Sequence, residues 1–251
     1  MSTWESVDHY FSGQGVVLLA KRDATGNPTG FFPVGNVKDL KITVNTSTIE
    51  HKESHSGQRG IDLRLTTETK CALSMTMENF LADNLSLASR GISTKQVGAS
   101  VVDHGITCYL GKVVSLPHIK ISSVVISDGL TPLTEGTDYL LNTDAGSIKF
   151  SNTITGVVDG DALSVDYTYA TQFKVDTLVT GNTDMFMRFE GLNTAEGNDP
   201  VVIEVFKFSI DPFKELALIG DTVQTFVLSG SVLTDTLRST GSKYFAVQKL
   251  N

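Results

Sequence analysis

Apolar and polar residues alternate along most of this chain, with the period of a β-strand. In IDLRLTTETKCALSMTM (61–77), Ile61, Leu63 and Leu65 are separated by Asp62 and Arg64, and the pattern resumes with Cys71, Leu73, Met75 and Met77. Side chains two residues apart share one face of a strand, so this segment predicts a long strand with one apolar face. GVVLLAKR (15–22) is a short apolar run closed by the turn cluster DATGNPTG (23–30). FFPVGNVKDLKITVN (31–45) sets Val37, Leu40, Ile42 and Val44 mostly in alternation. DMFMRFEG (184–191) alternates Met185, Met187 and Phe189 with Arg188 and Glu190, and VQTFVLSGSVLTD (223–235) predicts a further long strand. VVIEVFKFSI (201–210) is apolar on both faces apart from Glu204 and Lys207, the pattern of a central strand or a subunit contact.

One segment breaks the two-residue period. MENFLADNLSLASRG (77–91) places Met77, Phe80, Leu81, Leu85 and Ala88 on one stripe of a 3.6-residue period. The spacing predicts an amphipathic helix over about 77–90, covering a sheet with those five residues. Thr76 is its expected N-cap, and Gly91 its expected C-terminal stop. A second, shorter helical turn is expected in DPFKELALIGD, where Asp211 can cap, Pro212 suits the first turn and Gly220 ends it.

Residues 96–172 have a different texture. VSLPHIKISSVVIS, DGLTPLTEGTDYLLNTDAGSIKF and VVDGDALSVDYTYA are short strand-like runs punctuated by Asp-Gly and Glu-Gly turns. The segment carries Lys112, Lys120 and Lys149 against eight acidic residues, a net of −5, whereas the rest of the chain has 17 basic and 20 acidic side chains, a net of −3. The expected organisation is a discontinuous core, 1–95 with 173–251, interrupted by an inserted β-rich module at 96–172.

Composition narrows the function classes. The net charge of −8 and the lack of any Lys/Arg cluster give no basic footprint for gripping nucleic acid. Two cysteines, Cys71 and Cys108, are too few for a disulfide framework. No apolar run approaches 18 residues, so no membrane span is expected, and MSTWESVDHYF lacks the basic and apolar regions of a signal peptide.

The candidate chemistry centres on STIEHKESHSGQRG (47–60), with His51 and His55 four apart. A helical zinc site of the H-E-x-x-H type needs Glu directly after the first histidine, but here Lys52 follows His51 and the acid is Glu53. The flanking residues lack a helical apolar stripe, so the pair reads as part of a polar loop, with its histidines as hydrogen-bonding contacts and no metal. Ser54 and Ser56 flank His55 without a singled-out orienting acid. No G-x-S-x-G elbow, Walker sequence or EF-hand loop occurs. The expectation is a non-enzymatic protein with no cofactor; a metal-dependent enzyme built on His51 and His55 is the remote alternative.

The order of these elements is similar to that of the major tail tube proteins of long-tailed bacteriophages. Three stretches carry the resemblance: VGNVKDLKITVNTSTIEHKESHSGQRGIDLRLTTETKCALSMTMENFLADNLSLASRG (34–91), EGTDYLLNTDAGSIKF with DGDALSVDYTYA (135–170), and MFMRFEGLNTAEGNDPVVIEVFKFSIDPFKELALIGDTVQTFVLSGSVLTD (185–235). The resemblance implies a mainly β fold: a β-sandwich or half-barrel core of the kind shared with contractile tail tubes and the type VI secretion tube. It has one flanking helix and the small inserted module outside the tube. It implies a virion structural role in which hexameric rings stack into a tube for DNA ejection. Its expected partners are other copies of itself, a tape measure protein and terminator or tip proteins. Double-stranded DNA would pass through without specific binding, and assembly would take place in the host bacterial cytoplasm. Ile49, Glu50, His51, Lys52, Glu53, Ser54, His55, Ser56 and Gly57 are then expected to form a loop that contacts adjacent subunits or the next ring. Another tail component, such as a terminator or a baseplate or receptor-binding module, is the nearer alternative.

Overall fold

A computed structural model describes residues 9–250. The order of elements is β1 (Gly13–Lys21), β2 (Phe32–Pro33), β3 (Val37–Lys52), β4 (Ile61–Met77), α1 (Ala82–Ala88), β5 (Ile92–Gln96), β6 (Ala99–Thr107), β7 (Val113–Ser115) and β8 (Ile121–Ser127). It continues with β9 (Tyr139–Asn142), β10 (Ser147–Phe150), β11 (Ala162–Tyr169), β12 (Gln172–Asp176), β13 (Asp184–Asn193), β14 (Asp199–Asp211), β15 (Phe226–Val232) and β16 (Phe245–Lys249). The protein is mainly β, and the chain divides into two compact units: 1–92 with 175–251, and 93–174.

The first unit is built on one antiparallel sheet in the order β2-β1-β13-β14-β15-β4-β3, with β16 pairing β14. Its core is the inward face of that sheet. Cys71, Leu73, Met75 and Met77 of β4 meet Leu228 of β15, Val205 and Phe208 of β14, Met185 and Met187 of β13, and Val17 and Leu19 of β1. The alternation seen in the sequence is thus the packing alternation of the sheet. Glycines permit close strand contact at one step, where Gly15 lies opposite Gly191. A Cβ on Gly15 would fall 2.2 Å from the Glu190 carbonyl oxygen.

The second unit has two three-stranded sheets, β7-β10-β9 and β6-β11-β8. Ile148 and Phe150 from the first and Ile126, Val165 and Tyr167 from the second share one buried cluster. Its Asp-rich turns use their carboxylates locally: Asp128 accepts the backbone N–H groups of Leu130 (2.8 Å) and Thr131 (2.6 Å). β5 and β12, where the chain passes between the units, pair with each other.

The helix is shorter than its periodicity predicts. It occupies Ala82–Ala88 and not 77–90, because Met77 completes β4 instead of opening a helix. Met77 lies opposite Val37 on one side and Phe226 on the other, so two strand pairings compete with one helical turn and win. Phe80 and Leu81 are consequently exposed, Leu85 is half-buried, and Ala88 alone of the remaining stripe is buried. The N-cap is Leu81 and not Thr76. The inward position is taken by Asn84, whose side-chain amide donates to the Val34 carbonyl at 2.7 Å. At the other end, Arg90 and not Gly91 adopts the left-handed conformation (φ 49°). Arg90 N–H donates to Leu87 (3.3 Å) and Gly91 N–H to Ser86 (2.7 Å), which closes the helix. The Arg90 guanidinium donates to the Ile210 carbonyl at 2.9 Å, a tertiary bond that glycine could not make. Gly91 is needed for another reason: a Cβ there would meet the Asp176 carbonyl oxygen at 2.5 Å.

Two further expectations are corrected. The segment after Asp211 forms no helix; it runs as coil until β15 begins at Phe226. Phe213 N–H instead donates to the Ala88 carbonyl (2.7 Å), and Phe213 and Leu216 pack on the sheet core, so tertiary anchoring replaces the helical turn. The polar segment around 47–60 is partly strand: Ile49, Glu50, His51 and Lys52 lie in β3, and Glu53, Ser54, His55, Ser56 and Gly57, with the three residues after them, form the turn.

Candidate assembly surface

The β3–β4 hairpin outgrows the sheet that carries it. β15 accompanies β4 only from Met77 back to Cys71, opposite Val232. Beyond that point β4 pairs with β3 alone, down to Ile61 opposite Lys52. Every residue of β4 from Ile61 to Lys70 is exposed, and burial begins at Cys71. A two-stranded ribbon without a third strand or a covering layer is marginal in water.

The ribbon's faces differ. Ile49 lies opposite Leu65 and His51 opposite Leu63, in uninterrupted register. Directly opposed residues share a face, so Ile49, His51, Leu63 and Leu65 form one largely apolar surface. Thr48 with Thr66 and Glu50 with Arg64 line the other. Two irregularities adjust the register. At one, Thr67 is the extra residue, and its hydroxyl donates to the Ser47 carbonyl at 3.1 Å. At the other, Asp62 is extra, and its carboxylate meets His51 Nδ1 at 2.7 Å.

Glu53 organises the turn. Its backbone N–H donates to the Gly60 carbonyl (2.8 Å). Its carboxylate accepts the N–H groups of His55 (3.0 Å) and Ser56 (2.8 Å) and the Ser56 hydroxyl. Hydrogen bonds from the Ser56 side chain and backbone, aided by the His55 N–H, hold the carboxyl at about 2. Gly57 (φ 79°) and Arg59 (φ 54°) supply the left-handed residues that turn the chain. The two histidines are therefore used separately, His51 by Asp62 on the strand and His55 by Glu53 (3.2 Å) in the turn. No group of three or more His, Cys, Asp or Glu poised for a metal occurs among the described residues.

β3 is also an edge strand, and no described strand pairs its outer side. Residues of β3 near its start, Val37 to Ile42, line a half-open groove of about 830 Å³ together with Gln14 and Val17 of β1, Phe189 of β13 and Ile203 of β14. The sheet therefore brings its long edge and its opposite end to one groove. No described helix is long and apolar enough to cross a membrane.

Sequence patterning did not single out the coil around Leu218 and Ile219, although two adjacent aliphatic residues before a Gly-Asp pair are a readable sign of an exposed apolar loop. Ile219 is 97% exposed. Nor did it find the buried ion pair of Arg22 and Asp235 (2.8 Å), whose partners are 213 residues apart in sequence.

The family described as "Protein of unknown function UCP028589" matches residues 10–248. No curated protein matches the chain.

Proposed function

The chain belongs to this family of unknown function, and from its geometry we propose that it is a structural virion protein, the major tail tube subunit of a long-tailed bacteriophage. In this reading the first unit is a half-barrel that associates around a ring of six, and rings stack into a channel for DNA. The observation that carries it is the β3–β4 ribbon: a long, unsupported hairpin with an apolar face, continuous with a free edge strand. Such an edge is a liability in a monomer and an asset where another subunit covers it. A ring of subunits whose sheets continue into one another has no open edges.

Charge adds support. Over the structural boundaries the first unit has 15 Lys/Arg against 20 Asp/Glu, a net of −5, and the second has five against eight, a net of −3. The sequence boundaries had put most of the surplus in the insert; Lys95 and Lys174 lie within the compact unit and reverse that. A net-negative core suits a wall along which DNA slides, because basic side chains would release counterions and hold it. No catalytic constellation enters this reading.

Negative-stain microscopy of concentrated protein tests it. Long tubes of uniform width are the expected result. Isolated rings would move the assignment to a terminator-type component, and particles that stay monomeric at high concentration would end both.

A further inference from the structure

We infer that the distal end of the β3–β4 ribbon docks on a second copy of the chain, at a surface formed around the C-terminal end of α1 by the coil segments 177–180 and 212–223. This rests on the self-assembly reading and names the partner surface within it.

The acceptor is defined by backbone hydrogen bonds. Leu178 N–H donates to the Ser89 carbonyl (3.0 Å), and Val179 and Thr180 N–H donate to Arg90 (3.1 and 2.9 Å). Phe213 N–H donates to Ala88 (2.7 Å). Four bonds to three consecutive carbonyls thus gather both coils at one helix end. Both display aliphatic side chains to solvent: Leu178 and Val179 on one, Leu218 and Ile219 on the other. Leu178 holds φ at 59°, a conformation that costs a non-glycine residue free energy, yet its side chain remains 72% exposed. Strain that yields no burial within the chain points to a use outside it.

The two surfaces are complementary in charge as well as in apolar character. At the ribbon's end, Lys52 and Arg59 have no ion-pair partner among the described residues. At the acceptor the same holds for Glu215 and Asp221, two anions against one unpaired cation, Lys214. Aliphatic residues flanked by unpaired cations would therefore meet aliphatic residues whose unpaired charges are net negative.

Within one copy the acceptor lies at the Met77 end of β4, because Asp211 pairs Ser229, which pairs Ser74. β4 runs from the turn at Ile61 to Met77, and α1 begins at Ala82. At the strand rise of about 3.4 Å per residue, roughly 50 Å separates the turn from the end of β4. The seven-residue helix returns only about 10 Å of that. A contact between opposite ends of one unit is head-to-tail, the kind that propagates along an axis instead of closing as a two-fold dimer.

The test mixes two variants, Leu65→Cys and Ile219→Cys, under mild oxidation; Cys71 and Cys108 are buried and stay silent. A reducible dimer that forms in the mixture, and only weakly in either variant alone, is the expected result. Charge reversal provides the second arm. Lys52→Glu with Arg59→Glu should raise the concentration needed for assembly about tenfold, the scale of two exposed ion pairs at most, and Glu215→Lys with Asp221→Lys should restore it. Assembly that persists without the mixed cross-link and without charge rescue overturns the docking surface while leaving self-assembly intact. A wild-type protein that remains monomeric by light scattering removes both.

Discussion

At the residue scale, the side chains that fix this structure are mostly polar groups with a single demanding partner. Asp235 and Arg22 form a 2.8 Å ion pair with side chains only 4% and 9% exposed. Removing one partner strands the other charge, so Asp235→Ala is expected to destabilise the first unit by about 3–5 kcal/mol, measurable by urea denaturation. Glu53 gives a pH prediction with a definite sign. Its carboxyl falls from 4.5 to about 2 in the folded turn. The ordering that it provides is therefore complete above pH 4.5 and lost as pH falls through 2. The Ser56 amide proton should keep its native chemical shift at pH 4.5 and lose it near pH 2; a shift that moves with a midpoint near 4.5 would mean the carboxylate is not held. Burial raises both thiols, with Asp159 and Asp161 adding to the effect at Cys108. Neither cysteine should react with a thiol reagent until the protein unfolds. None of these pairings was legible in the sequence, because periodicity reports which face a residue occupies and not which distant partner it meets. Arg90 shows the same limit: Gly91 looked like the helix stop, but the Ile210 carbonyl made arginine the better left-handed residue.

At the element scale, the strands that pack on a core could be read directly. Leu73, Met75, Leu228, Met185 and Met187 alternate because every second residue is buried. Two failures have a common cause. Met77 fits both a two-residue and a 3.6-residue period, and only the pairings with Val37 and Phe226 decide between them. The arm from Thr48 to Lys52 looked like a loop because neither face is buried, so burial imposes no clear alternation there. Its one aliphatic side chain, Ile49, is diluted by charges, whereas Leu63 and Leu65 across from it alternate legibly. The ribbon can be removed cleanly. Replacing Ile49–Leu65 by Asn-Gly joins Thr48 to its partner Thr66 through a two-residue turn. The deletion touches no buried residue, so thermal stability should change by less than a few degrees while assembly in light scattering disappears. A variant that assembles normally would show that the ribbon is dispensable.

At the scale of the whole molecule, the sheet order places β1 beside β13 and β4 beside β15, pairings that cross the inserted unit in sequence. The first unit therefore forms only when residues on both sides of the insertion come together. Local pattern carries no information about such long-range order, which is why topology was not legible when strands were. The inserted unit faces no such demand: its two three-stranded sheets lie wholly within 93–174. Its buried cluster, from Ile106 to Tyr167, is likewise its own. A segment of this size with one shared core for two sheets is long enough to fold without staples. The chain enters and leaves it through β5 and β12, which pair, so residues 92 and 175 can be joined by a short linker without pulling strands out of either sheet. Two shortened chains follow: 93–174 alone, and the first unit with a Gly-Ser linker in place of 93–174. Each should give a cooperative thermal transition with dispersed amide resonances. A broad, non-cooperative transition in the 93–174 fragment would mean that its core depends on the first unit. Loss of folding in the linked first unit would mean that the insertion holds β4 and β13 in register.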